Sequence, residues 1–297
     1  MIRFSPFASA IATGIAAGIA LTTAAQALEP AAEQIDMDLS TGRPMIELMI
    51  NEEGPYPFIF DTGAGVFTVH PQLVETLGLE ISGQGEISSP GGQAFPVDLV
   101  NLDTVSLGTA QVGDIEARIV DMGLPVEMGG YGVLGPVQFR AFDRVAFDFE
   151  NQRIEIGGSF NKPDDVAWQA FGDDAPLLDV MLTIGDARIP AHIDTGNPGG
   201  LMLPRDVADQ LPLDAPLQVV GQARMVDGTM DIYGAPISES FQAGDADIPV
   251  SNVLFFERAM ANIGSGALRG LQLEIDWAHE RYALWGDAQP MQPQRRG

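Results

Sequence analysis

The triplet Asp-Thr-Gly occurs twice in this chain, as Asp61-Thr62-Gly63 and Asp194-Thr195-Gly196, and each copy ends an apolar run. Pro57-Phe58-Ile59-Phe60 leads into the first, and Ile189-Pro190-Ala191-His192-Ile193 into the second. Laying Asp61 over Asp194 aligns much more than the triplets. Upstream, Pro44-Met45-Ile46-Glu47-Leu48-Met49-Ile50 falls over Pro176-Leu177-Leu178-Asp179-Val180-Met181-Leu182. Both stretches read as half-buried strands, and turn residues follow each: Asn51 to Gly54 in one, Gly185 to Ala187 in the other. Any fold of this chain must therefore contain two similar halves, each bringing an aspartate to the end of a hairpin strand.

The repetition continues downstream. A helix-like stretch opened by proline follows each triplet, Pro71 to Leu77 closed by Gly78, and Pro204 to Leu211 closed by Pro212. Near the end of each half comes an apolar residue pair or its near match before glycine, Val133-Leu134-Gly135 and Asn262-Ile263-Gly264. Two hairpin strands then follow: Val145 to Phe149 with Arg153 to Ile156, and Leu273 to Trp277 with Arg281 to Leu284. The halves divide near Ser159 to Ala175, where Asn161-Lys162-Pro163-Asp164-Asp165 and Gly172-Asp173-Asp174 read as linker. This gives lobes of residues 28–160 and 161–297.

Thirty-four glycines, 21 prolines and frequent short β-branched runs favour a turn-rich, all-β chain. Residues 1–27 stand apart. Arg3, the small apolar run from Phe7 to Ala24 and Ala25-Gln26-Ala27 have the pattern of a cleaved secretory signal peptide, so export to a periplasm or the medium is expected. No later stretch is long and apolar enough for a transmembrane helix, so no stable membrane span is expected after cleavage. With no cysteine, the exported chain must hold its fold without disulfides, and thiolate chemistry is excluded. The formal net charge of −26 disfavours nucleic acid and anionic membrane surfaces as partners.

Two carboxylates held within hydrogen-bond distance can hold one water between them, and cannot both ionise at moderately acidic pH. One member can then take a proton from water while the other donates to a carbonyl oxygen, which suffices for peptide hydrolysis without metal or thiol. In this arrangement Asp61 and Asp194 are the candidate catalytic residues. Gly63 and Gly196 let backbone approach the carboxylates, and the Thr62 and Thr195 hydroxyls can bond across to the opposite loop. A lone Asp-Thr-Gly is more often a simple turn; two at matching positions of a repeat point to a pair.

These motifs resemble the pepsin and retropepsin class of aspartic proteases, over roughly residues 40 to 287. The short halves are most similar to two retropepsin-like units fused in one bacterial chain. The resemblance implies an acid-protease fold: two retropepsin-like β-barrel lobes about a pseudo-twofold axis, with a cleft for extended polypeptide closed by hairpin flaps. It implies an aspartic endopeptidase that needs no cofactor or metal and is expected to be monomeric, with pepstatin sensitivity less assured because the flaps differ. The flaps are expected near Gly83 to Gly92, rich in glycine and without a pepsin-like tyrosine, and near Ala223 to Tyr233. Tyr233 itself reads more readily as a packed strand residue than as a substrate contact.

The second triplet departs from the family by continuing Asn197-Pro198-Gly199-Gly200, where the Asn197 amide could bond the outer oxygen of Asp194. That departure, with polar Asn262, motivates an alternative: a non-catalytic peptide- or envelope-protein-binding module on the same fold. A dimeric processing factor with one site per chain is disfavoured, because one chain already carries both aspartates. Other patterns carry less weight. Gly130 to Gly135 spells G-x-G-x-x-G but lacks a convincing preceding strand and a crossover helix. His70, His192 and His279 have no ligand-like spacing, and Gly264-Ser265-Gly266 is no nucleophile elbow.

Overall fold

The structure is a computed structural model that describes residues 32–88, 94–123, 126–172, 177–225, 228–257 and 260–289. The expected signal peptide, the tips of both expected flaps and part of the linker lie outside these residues. The described chain is mostly strand, arranged in three sheets.

In the first half, Met45–Ile50 buries Met45, Ile46, Leu48 and Ile50 while Glu47 points to water. It turns into Glu53–Phe60 through Asn51 and Glu52, both at positive φ (50° and 67°), the two-residue turn whose twist suits a hairpin. The sheet then runs through Gly132–Leu134, Phe67–Val69, Ala110–Ile119 and Ala94–Leu107. The last of these pairs back to Met45–Ile50 through Met49 with Ser106 and Ile50 with Val105, closing a six-stranded barrel. Closure removes the free edges that a sheet this short would expose. Ile81–Ser88 continues as a hairpin arm on Ala94–Leu107.

The second half repeats this order with Asp179–Ile184, Ala187–Asp194, Ala261–Gly264, Leu201–Pro204, Asn252–Phe256, Gly228–Pro236 and Gln218–Met225. One difference is instructive. The long strand Ala94–Leu107 of the first half corresponds to two pieces, Gly228–Pro236 and Phe241–Ala243, the second of which pairs with Asp179–Ile184. Pro236 has no N–H for a ladder bond, and the next amide, Ile237, bonds Ser251 O at 3.2 Å instead. The strand breaks there, and the barrel seam becomes two local pairings.

The helix expected after the first triplet is present as Pro71–Leu77, with proline at its start and Gly78 at φ 61° as its cap. The second expectation is corrected. Pro204 ends a strand, and only Arg205–Gln210 winds, as a 3₁₀ segment. Leu211 is extended (φ −102°, ψ 146°), as the residue before a proline prefers, and this ends the segment.

A third, six-stranded sheet joins the halves: Glu33–Asp36, Arg153–Ile156, Arg144–Asp148, Leu271–Asp276, Arg281–Gly286 and Gln169–Ala170. Its two central strands pair antiparallel, with Val145 opposite Ile275 and Phe147 opposite Leu273. These pairs exchange under the repeat, and Ala146 opposite Glu274 lies at the exchange point. One apolar cluster runs through both lobes and this sheet.

Glu274 is fully buried at that junction. Arg144, also buried, donates from Nε to Glu274 Oε1 at 2.6 Å and from Nη2 to Glu155 Oε2 at 2.8 Å. The backbone N–H groups of Asn161 and Lys162 satisfy the remaining carboxylate valence, at 2.9 Å each. A strand of each lobe and the connecting segment thus meet on one buried charge. Removing one member of such a pair strands the other in low dielectric and costs about 3–5 kcal/mol. Glu274→Ala should therefore lower unfolding free energy by roughly that amount in urea titration, while Arg144→Leu combined with Glu274→Leu should cost less than the two single changes summed.

Candidate active site

The strands Glu53–Phe60 and Ala187–Asp194 each carry an aspartate at or just beyond their last residue. A three- or four-residue strand lies alongside each: Gly132–Leu134 runs parallel to Glu53–Phe60, and Ala261–Gly264 parallel to Ala187–Asp194. The same short strands pair antiparallel with Phe67–Val69 and Leu201–Pro204. Each aspartate loop thus passes over a strand that grips it from both sides. The glycine closing each short strand is required by closeness. A Cβ on Gly135 would stand 1.9 Å from Ala64 O, and one on Gly264 would stand 2.5 Å from Gly199 O.

The two loops are tied to each other through buried threonines. Thr62 N–H donates to Thr195 Oγ1 at 2.9 Å, and Thr195 N–H donates to Thr62 Oγ1 at 3.1 Å. Each hydroxyl donates onward into the opposite lobe, Thr62 to Ile193 O at 2.7 Å and Thr195 to Phe60 O at 2.8 Å. Each hydroxyl accepts one bond and donates one, so neither is left without a donor or an acceptor role and the set is reciprocal.

This clasp brings Asp61 and Asp194 within hydrogen-bonding reach of each other. Gly63 N–H and Gly196 N–H both donate to Asp61 Oδ1, at 2.7 and 2.9 Å. A Cβ on Gly196 would stand 2.3 Å from Asp61 Oδ2, so glycine is needed there. At Gly63 the nearest carboxylate oxygens would lie at 3.2 Å, a milder constraint. Asp194 is held differently. Asn197 contributes its backbone N–H, at 3.1 Å from Asp194 Oδ1, and not its amide. The Asn197 amide donates to Asn262 Oδ1 at 2.7 Å, and Asn262 Nδ2 donates to Asp194 Oδ2 at 3.2 Å. The outer-oxygen contact expected of Asn197 is therefore made by Asn262, with Asn197 orienting it. The sequence signal was the polar residue in an otherwise apolar position before Gly264.

A second residue missed in the sequence is Arg43. Its Nε donates to Gly196 O at 2.8 Å, across from the first lobe to the second aspartate loop. Gly196 thus offers its N–H to Asp61 and its carbonyl to Arg43. The available signal was rarity: Arg43 is the sole Lys or Arg between residues 4 and 117.

Burial pushes both aspartic acids upward. Asp61 is carried from 3.8 to about 7, chiefly by burial and then by the neighbouring Asp194, against the pull of the Gly63 and Gly196 amides. Asp194 is also raised by burial, but the Asp61 hydrogen bond, the Asn197 and Gly196 amides and the positive charge of Arg43 hold it down. The pair therefore loses its protons in two steps and carries one proton over a range of acidic to neutral pH. His192, two residues before Asp194 on a regular strand, is shifted toward its neutral form by burial, and its Nδ1 is buried without a partner.

The other sequence patterns fall elsewhere. His70 caps Pro71–Leu77, accepting from Gln72 N–H, and His279 lies on Asp276. The G-x-G-x-x-G stretch is a short helical turn and the three-residue strand Gly132–Leu134, followed by a 3₁₀ segment, Pro136–Phe142, with no crossover helix. Tyr233 packs on the core with the Arg205 guanidinium 4.1 Å from its ring centre.

Residues 46–136 match the family model described as aspartyl protease. The matched stretch begins in the strand Met45–Ile50 and ends just past Gly135, so it spans the closed barrel and the Asp61 loop. The match supports a retropepsin-like aspartyl protease family for this lobe and a protease-type function. No curated protein matches the chain significantly. Among the described residues, no helix is long and apolar enough to cross a membrane.

Two measurements check this electrostatic account. Because Asp61 is raised on folding, its contribution to stability is full below pH about 4 and is lost as pH rises through about 7; Asp61→Asn should flatten the stability profile across that window. Asn262→Ala removes a donor to the charged form of Asp194, so the first ionisation of the pair should move up in NMR or kinetic titration.

Proposed function

We propose that the chain is an aspartic endopeptidase that hydrolyses peptide bonds of extended polypeptides, with Asp61 and Asp194 as its catalytic residues. The carrying observation is the reciprocal threonine clasp, which fixes two strand-end carboxyls from repeated halves as a proton-sharing pair. A water between them loses a proton to the ionised member as it attacks the scissile carbonyl, and the protonated member donates to the carbonyl oxygen. We assign the proton to Asp61 and the negative charge to Asp194. Asp194 has Arg43, the Asn262 amide and the Asn197 N–H on its side, whereas Asp61 is raised by burial and by the neighbouring Asp194.

Thr62, Gly63, Thr195 and Gly196 are positioning residues in this reading. The hairpins Ile81–Ser88 with Ala94–Leu107, and Gln218–Met225 with Gly228–Pro236, are its flaps. The leader-like residues 1–27 support action in a periplasm or outside the cell, by a monomer that carries both aspartates. The amide pair Asn197–Asn262 on Asp194 favours a second reading, a peptide-binding module that keeps the loops for structure. Capture of peptides without product would distinguish it.

Incubating the purified protein with a diverse peptide library across pH separates these readings. Cleavage should fall as pH rises through about 7, when the pair loses its shared proton. Asp61→Asn and Asp194→Asn should each reduce it by roughly 10³-fold or more, with unfolding still cooperative. Undiminished cleavage by the Asp194→Asn protein would refute the assignment.

A further inference from the structure

Arg43 reaches across from the first lobe to the second aspartate loop, beside the Asp61–Asp194 pair. It precedes the first barrel strand, is half-buried, and spends one N–H on Gly196 O. Among the described residues no carboxylate forms an ion pair with it. A guanidinium carries five donors in a planar fork suited to a carboxylate, so most of its bonding capacity is unspent. Partly burying a cation in this state is costly unless an anion completes it, and among the described residues the carboxylates that act on it are the two aspartic acids, which together carry a single charge when they share a proton.

The repeat makes the feature one-sided. Phe60 N–H bonds Pro44 O as Ile193 N–H bonds Leu178 O, so the position matching Arg43 in the second half is Leu177, which has no charge. The chain is otherwise strongly acidic, with 41 acidic and 15 basic side chains, and no other Lys or Arg lies between residues 4 and 117. A polypeptide lying across the Asp61–Asp194 pair would therefore meet a cation on one side of the scissile bond and not on the other.

We propose that Arg43 is a specificity residue that receives an acidic side chain, Asp or Glu, flanking the scissile bond on one side only. This rests on the endopeptidase reading for the word scissile, but the binding of the acidic residue does not depend on turnover. Two electrostatic effects compete. The net charge of −26 repels acidic peptides at long range, which salt screens over about 8 Å at physiological ionic strength, whereas contact with Arg43 persists. The preference should thus be clearest at moderate salt.

The test uses matched peptide pairs that differ by Glu against Gln at each position around one cleaved bond, at about 0.15 M salt. For wild type, kcat/KM should favour Glu at one position by about tenfold or more, the scale of a charge-assisted hydrogen bond. Arg43→Gln should bring that ratio to near one, and Arg43→Lys should restore part of it. A ratio is unaffected by a general loss of folded protein. In parallel, fluorescence anisotropy with non-hydrolysable versions of the same pairs measures binding alone. If no peptide is cleaved but the Glu versions bind more tightly in an Arg43-dependent way, the endopeptidase reading fails and the acidic subsite stands. Equal affinity and equal kcat/KM for Glu and Gln at every position, or a Glu preference that Arg43→Gln leaves intact, would overturn the proposal.

Discussion

The structure depends on four hydrogen bonds made by two threonines, two between them and two onward into the opposite lobe. Thr62 and Thr195 are buried where the lobes meet, and each uses its amide and hydroxyl on the other half. Without this lock the aspartate loops would be two ordinary strand-end turns on separate barrels. With it, the carboxyls are neighbours whatever else the lobes do, and their shared proton follows from burial and mutual repulsion. The short strands behind the loops and the joining sheet below extend the same restraint outward, so the site stands on rigid elements from both halves.

The repeat was legible because the residues that build it are local. Asp-Thr-Gly, the alternating strand before it and the glycine after the short strand each reflect a backbone requirement that a few adjacent residues must meet. The hairpins of the joining sheet were legible for the same reason, with Gln152 and Glu280 at matching positive-φ turn positions. Long-range closure was not. Nothing within Ala94–Leu107 announces that it pairs back to Met45–Ile50, and the effect of Pro236 on the second barrel appears only once its neighbours are in place.

The site divides along the same line. The six residues of the two triplets could be named from the sequence, but Asn262 and Arg43 could not, since each acts on a loop distant in the chain. Asn262 read as a flawed copy of an apolar motif, whereas in three dimensions it is a donor to Asp194. The Asn197 amide acts on Asp194 one step removed, through Asn262. The two halves thus keep a common frame and differ in the side chains that give each aspartate its own surroundings.

The pairing of Ala146 with Glu274 at the exchange point of the repeat has a further consequence. Two copies of the first half would set alanine against alanine there. Two copies of the second would set one buried carboxylate against another, with Gln272 standing where Arg144 supplies the charge. Neither half can serve as its own mate without an empty space or an unanswered charge. The two halves are thus a matched left and right rather than interchangeable units.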